Sequence, residues 1–125
     1  MEYFIGAIGE QKASSFLVRL GYKIRETNYW KPYGEIDIIA EKDRVIHFIE
    51  VKSSKYYPGT AFMPEIRVNA RKIRNLKKIC ETYLRERHAP SEQRWQIDII
   101  SVILDSDSTL REINHIENAV FEKQY

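Results

Sequence analysis

The sequence predicts an α/β sandwich around a mixed sheet of about five strands, in the order helix–strand–strand–strand–helix–strand–strand. Three observations carry this. Two segments repeat apolar residues at helical spacing, before the first and after the third of three short strand-like runs. Glycine and proline punctuate those runs. The third run reaches the fourth through a long helical crossover, which makes those two strands parallel neighbours.

Taken in order, Tyr3 to Leu20 reads as a helix, with Ala13, Phe16, Leu17 and Leu20 on one stripe and Gly21 ending it. Tyr22 to Tyr29 is the first strand, and "WKPYG" a turn around Pro32 and Gly34. Gly34 to Glu41 and Val45 to Lys52 are the second and third strands. "SSKYYPGTAFMPE" is a loop, and Val68 to Arg87 a second helix with Ile73, Leu76, Ile79, Cys80 and Leu84 as its apolar stripe. "HAPSEQ" links to a fourth strand, Trp95 to Leu104; "DSDS" turns into a fifth, Thr109 to Ile116. Residues 1–118 are expected to form one domain, and 119–125 a frayed tail. Trp30 and Trp95 are expected to pack, and Cys80 to lie in the core.

The 125 residues are 43% hydrophobic and 30% charged, enough for one soluble domain with its own core. No apolar run reaches the roughly 18 residues a membrane span needs, and the N-terminus lacks the basic leader of a secretory signal. One cysteine excludes an internal disulfide and a cysteine-based zinc cluster. These features point to a cytoplasmic protein without a membrane partner. The net charge is only +2, but eight basic residues stand against two acids from Ile66 to His88. That leaves the remainder of the chain acidic, and it suggests an anionic partner met by one face.

The informative stretch is "GEIDIIAEKDRVIHFIEVKSS", Gly34 to Ser54, where Glu35, Asp37, Glu50 and Lys52 interrupt apolar strands. Strand side chains alternate in direction, so Glu35 and Asp37 share a face, as do Glu50 and Lys52. If paired residue numbers sum to 87, Asp37 faces Glu50, Glu35 faces Lys52, and the turn centres on Asp43-Arg44. Ile36, Ile38, Ile49 and Val51 then share the other side. A register one residue away separates the charged pairs. Facing carboxylates repel, so a cation is expected between them: Lys52, or a divalent ion. Oxygen ligands suit Mg2+ or Mn2+. Glu10, three residues before Ala13, falls on the inward stripe of the first helix and can complete such a site. The three histidines are expected to be structural or solvated, with His47 opposite Glu50, and Asp98 to make a structural hydrogen bond.

These segments, "GEIDIIA…FIEVKSS" with "GE" at Gly9-Glu10, "GYKIRETN" at Gly21 to Asn28 and "INHIENAV" at Ile113 to Val120, resemble the YraN-like family of small bacterial proteins. That family is similar to archaeal Holliday junction resolvases, within the PD-(D/E)xK nuclease superfamily. The resemblance implies a restriction-endonuclease-like three-layer sandwich and a metal-dependent endonuclease. Carried over by residue, it implies Asp37 and Glu50 as metal ligands, the Val51 carbonyl as a third oxygen, Lys52 at the scissile phosphate, and Glu10 supporting the metal. Ile36 stands where the superfamily name has proline. Lys72-Ile73 and Trp30 stand where many members have Lys-Gln and Arg.

The expected function is therefore phosphodiester hydrolysis in structured DNA, branched forms included, with DNA favoured over RNA. Arg67 just before the second helix, Arg71, Lys72, Arg74 and Lys78 on it, and Lys55 and Tyr56 beyond the third strand are the expected nucleic-acid contacts. A two-fold dimer would suit a symmetric junction. The alternatives are a non-catalytic nucleic-acid-binding or adaptor protein on the same fold, and a structural ion-pair cluster of Asp37, Glu50 and Lys52.

Overall fold

The computed structural model describes residues 2–59 and 70–119. The first apolar stripe forms helix α1, Glu2–Arg19. Its end is set by Gly21, whose φ of +92° lies in the left-handed region that favours glycine. The Gly21 N–H returns to the Val18 carbonyl at 3.0 Å and that of Tyr22 to the Leu17 carbonyl at 2.9 Å. This is a Schellman cap, and its usual apolar contact is made by Leu17 and Tyr22, buried in one cluster. Because the chain leaves the helical path here, Leu20 does not complete the stripe as expected; it is 46% exposed.

Five strands form one sheet in chain order: β1 Lys23–Lys31, β2 Gly34–Lys42, β3 Val45–Lys55, β4 Arg94–Leu104 and β5 Leu110–Ile116. Only the β3–β4 pair is parallel, and helix α2, Ala70–Glu86, lies in its crossover. β3 extends three residues past its expected end because pairing with β4 continues to Lys55–Leu104. The loop read from Ser53 therefore begins later. The expected helix start at Val68, Arg67, and all of the expected tail 119–125 except Ala119 fall outside the described residues.

The helices cover opposite faces, giving three layers. α1 packs Ala13 and Leu17 on Ile38, Ala40, Ile49, Ile100 and Val102. α2 packs Leu76, Ile79, Cys80 and Tyr83 on Ile36, Ile39, Phe48 and Ile97. Tyr83, three and four residues beyond Cys80 and Ile79, carries the stripe that the apolar pattern ran through Leu84. Cys80 is fully buried as expected. Trp95 packs its ring 5.6 Å from that of Phe48, but Trp30 does not pack. It lies on edge strand β1 and is 65% exposed. No helix among the described residues is long and apolar enough to cross a membrane.

The hairpin has the register in which partner numbers sum to 87, from Ile38–Ile49 to Lys42–Val45. Asp43 and Arg44 take φ of 52° and 67°, the paired positive values of a type I′ turn. The pairing ends at Ile38–Ile49, so the expected facing pairs Asp37–Glu50 and Glu35–Lys52 do not form. Ile36 does not share a side with Ile38: Ile36 packs under α2 and Ile38 under α1. The break in alternation lies where the β1–β2 pairs pass from Thr27–Ile38 to Tyr29–Ile36. Asn28, between them, has a φ of 51°. Ile36 and Ile38 thus lie on opposite faces although they are two residues apart.

Candidate functional site

The charged residues gather where β2 and β3 part, one step beyond the last hairpin pair. There Asp37 uses its side chain where a backbone partner would have been: its Oδ2 accepts the Val51 N–H at 2.8 Å. Burial pushes the Asp37 carboxyl up. The Val51 N–H opposes that, and the negative charges of Glu10, Glu50 and Glu35 add to it; the result is about 7. Asp37 is thus a carboxyl at which a nearby cation would relieve both burial and repulsion.

Glu50 has the opposite electrostatics. Its Oε2 lies 3.0 Å from Lys52 Nζ and 3.2 Å from Lys72 Nζ. Burial pushes its carboxyl up, but hydrogen bonds and charge from the two ammonium groups outweigh that and hold it below its usual value. By strand rise, the Cα atoms of Glu50 and Lys52 are about 7 Å apart; the long lysine side chain curls back to close the gap. Lys72 comes from the first turns of α2, so the crossover helix places a cation over the end of β3.

Glu10 arrives from the other face. α1 approaches β3 so closely at Gly9 that a Cβ there would lie 1.7 Å from Ser53 Oγ. The absent side chain lets the next residue reach the sheet. Glu10 Oε1 accepts from Asn28 Nδ2 at 3.1 Å, and the same amide reaches Glu35 Oε2 at 3.2 Å. Asn28 therefore ties both outer carboxylates together. Nothing in residue periodicity singled it out; its left-handed backbone, unusual outside glycine but tolerated by asparagine, is visible only in the fold.

Two hollows open on this junction. One, about 340 Å³, lies between the sheet and α2 and is lined by Tyr33, Glu35, Glu50, Arg71, Lys72 and Leu76 among others. The other, about 310 Å³, lies beside α1 and is lined by Glu10, Val51, Ser53 and Ser54 together with Ile5 and Gly6. Of the basic residues, Arg71 and Lys72 face the first hollow. Lys78 places its ammonium 4.3 Å from the centre of the Tyr33 ring on that hollow's wall. Arg74 is exposed on α2. Lys55 and Tyr56 are about 17 Å further along β3 by strand rise. There Lys55 Nζ donates to the Ser106 carbonyl at 3.0 Å, and the Arg111 guanidinium stacks 3.6 Å from the Tyr56 ring centre. They lie beside the β4–β5 turn, apart from the first hollow. Arg67 falls outside the described residues.

Asp37 and Glu50 supply hard oxygen donors, and Val51, whose N–H Asp37 accepts, lines the second hollow. Two carboxylates completed by water and substrate oxygens are a set magnesium accepts, so the residues present fit such an ion. Among the described residues, the one group of three side chains whose ligand atoms lie within 4.8 Å of one another is elsewhere: His47, Asp98 and His115. In the sequence these three residues stand far apart. Only the β3–β4–β5 register brings them together.

The family described as "Uncharacterised protein family UPF0102" matches residues 9–102. A UPF0102 protein of Syntrophomonas wolfei is 40% identical over 118 residues, covering 92% of this chain and 96% of the relative. One of Desulforamulus reducens is 35% identical over 118 residues, covering 93% and 94%. One of Caldicellulosiruptor bescii is 33% identical over 115 residues, covering 92% and 95%. The matched region contains Glu10, Asp37, Glu50, Lys52 and Lys72, and the chain belongs to the UPF0102, or YraN-like, family.

Proposed function

We propose that the protein is a divalent-metal-dependent endonuclease that hydrolyses phosphodiester bonds in structured DNA, branched forms included. The observation that carries this reading is the junction itself. The half-buried Asp37 carboxyl, held by the Val51 N–H at 2.8 Å, stands near the Glu50 carboxylate, whose Oε2 lies 3.0 Å from Lys52 Nζ and 3.2 Å from Lys72 Nζ.

Asp37, Glu50 and the Val51 carbonyl would hold Mg2+ or Mn2+, with Glu10 supporting through Asn28 and Glu35. Such an ion polarises a phosphodiester and lowers the pKa of a water molecule. The chain's own groups do the rest. Arg71 and Lys72 hold the phosphodiester backbone in the hollow under α2, with Arg74 and Lys78 extending the contact along the helix. Lys52, released from Glu50 as substrate enters, adds positive charge where the phosphate accumulates negative charge. Asn28 keeps Glu10 and Glu35 turned toward the site. No histidine contributes: His47 and His115 are engaged with Asp98 on the α1 face. Nothing in this arrangement reads base edges, so recognition would rest on backbone and shape. A symmetric junction would suit a two-fold pair of chains.

Metal-dependent cutting of labelled DNA, lost in Glu50→Ala and Lys52→Ala, tests the reading. Binding without cutting, unaffected by either substitution, would instead favour an adaptor.

A further inference from the structure

We propose that His47, Asp98 and His115 form a second cation site, for a borderline transition-metal ion such as Zn2+, on the sheet face opposite Glu50. The inference is independent of the nuclease reading. The three residues come from three adjacent strands, β3, β4 and β5. Their side chains are 6%, 0% and 9% exposed. His47 Nδ1 lies 2.6 Å and His115 Nε2 2.8 Å from the same oxygen, Asp98 Oδ2. All three ligand atoms lie within 4.8 Å of one another.

Two imidazoles converging on one carboxylate oxygen need not mean a metal, because both can donate to it. The other oxygen makes the difference. Asp98 Oδ1 accepts from Gln96 Nε2 and from the Asn118 N–H, each at 2.8 Å. The carboxylate is thus held from behind, and its free edge faces the two ring nitrogens. Outer hydrogen bonds that fix a ligating carboxylate are the usual support of a metal centre. The Tyr22 ring packs 5.0 Å from His47 and 5.8 Å from His115 and closes the α1 side. Glu117 adds a second acid at the rim, accepting from the same Gln96 amide at 3.4 Å.

Two imidazole nitrogens and one carboxylate oxygen form a common zinc donor set with a fourth position left for water or substrate. The same set is a poor match for Mg2+, which prefers oxygen. Bonds of about 2.0–2.1 Å at tetrahedral angles place ligand atoms about 3.3 Å apart. The present 2.6 and 2.8 Å separations therefore need to open by roughly half an ångström, which small side-chain rotations supply. Each neutral imidazole presents a lone pair to the ion once its proton sits on the other ring nitrogen. Bound there, the ion would pin edge strand β5 and the turn at 117–119 to the centre of the sheet.

The test uses the untagged full chain, stripped of metal and then given one equivalent of Zn2+. Ring nitrogen signals of the three histidines are followed by NMR, with His88 as internal reference, and metal retention is measured after gel filtration. The proposal expects His47 and His115 to shift, His88 to stay, and one equivalent to be retained. Retention should persist in Asp37→Asn, which disables the acidic junction. It should weaken by about 100-fold in His115→Gln and by about tenfold in Gln96→Ala. Unmoved His47 and His115 signals, or retention surviving in a His47→Gln/His115→Gln double variant, would overturn it. If the double variant fails to fold, the ring signals of the unmodified chain decide alone.

Discussion

Lys72 on the crossover helix and Glu50 on β3 meet at 3.2 Å, although 22 residues separate them in the chain. The pair joins the basic helix to the acidic junction, the two charge features that stand out in the sequence. Both groups are partly exposed, so their direct contribution to stability is small, about 1 kcal/mol or less. Lys72→Met should therefore leave thermal stability nearly unchanged. Cleavage should fall by roughly 10–100-fold if Lys72 stabilises charge developing on the phosphate. Calorimetry and single-turnover cleavage on the same preparation separate the two effects.

Asp37 links the site to pH. Its folded-state value of about 7 lies above the ordinary 3.8, so between those values the native state holds a proton that the unfolded chain has released. Ionising Asp37 in the folded protein therefore lowers stability progressively as pH rises from about 4 to about 7, and the full penalty applies above that. Asp37→Asn, which retains an acceptor for the Val51 N–H, should be more stable than the parent at pH 8 by roughly 1–4 kcal/mol. The advantage should vanish near pH 4. Urea titrations of both proteins across that range, without divalent ions, give the difference directly.

The same carboxyl predicts proton-linked metal binding. An ion held by Asp37 must displace its proton, so affinity should rise about tenfold per pH unit below about 7 and level off above it. Isothermal titration with Mn2+ in buffers of different ionisation heat reports both the slope and the proton released. A flat profile would mean that Asp37 is not a ligand.

Gly9 fixes how closely α1 approaches the sheet. A Cβ there would lie 1.7 Å from Ser53 Oγ and 2.8 Å from Ser53 Cβ, so rotation of the serine alone does not make room. Gly9→Ala should cost about 1–3 kcal/mol through overpacking. Ser53→Gly in the same chain should recover part of that loss, a coupling readable from a double-mutant cycle in denaturant.

Contact with DNA should show itself in salt dependence. If Arg71, in the hollow beside Lys72, contacts a phosphate, Arg71→Ala should lower the slope of log affinity against log salt by about 1 without changing sequence preference. Fluorescence anisotropy with Ca2+ in place of Mg2+ would measure it on intact substrate.

The parts of this fold legible in the sequence are those set by short-range pattern. The hairpin register in which partner numbers sum to 87 and the turn at Asp43-Arg44 were legible, but the expected pairs Asp37–Glu50 and Glu35–Lys52 do not form, because β2 and β3 part beyond Ile38–Ile49. The parallel β3–β4 pair followed from a crossover too long for a hairpin. Where the backbone departs from regular geometry, alternation misleads. Ile36 packs under α2, against the expectation that it would accompany Ile38, and the Schellman cap at Gly21 took Leu20 off the stripe. Long-range register was equally hidden. His47, Asp98 and His115 are 51 and 17 residues apart, and only the assembled order of three strands brings them together. The same is true of Lys72, placed in the sequence as a substrate contact and found against Glu50.

Cleavage itself tests the proposed activity most directly. Purified protein would be incubated with end-labelled linear, flapped and four-way DNA, and with matching RNA, in Mg2+, Mn2+ or chelator, beside Glu50→Ala and Lys52→Ala. A metal-dependent nuclease should give cutting that requires the divalent ion, favours structured DNA over RNA, and disappears in both variants while their folding is preserved. Tight binding with no cutting under any metal, equal in the parent and both variants, would contradict it.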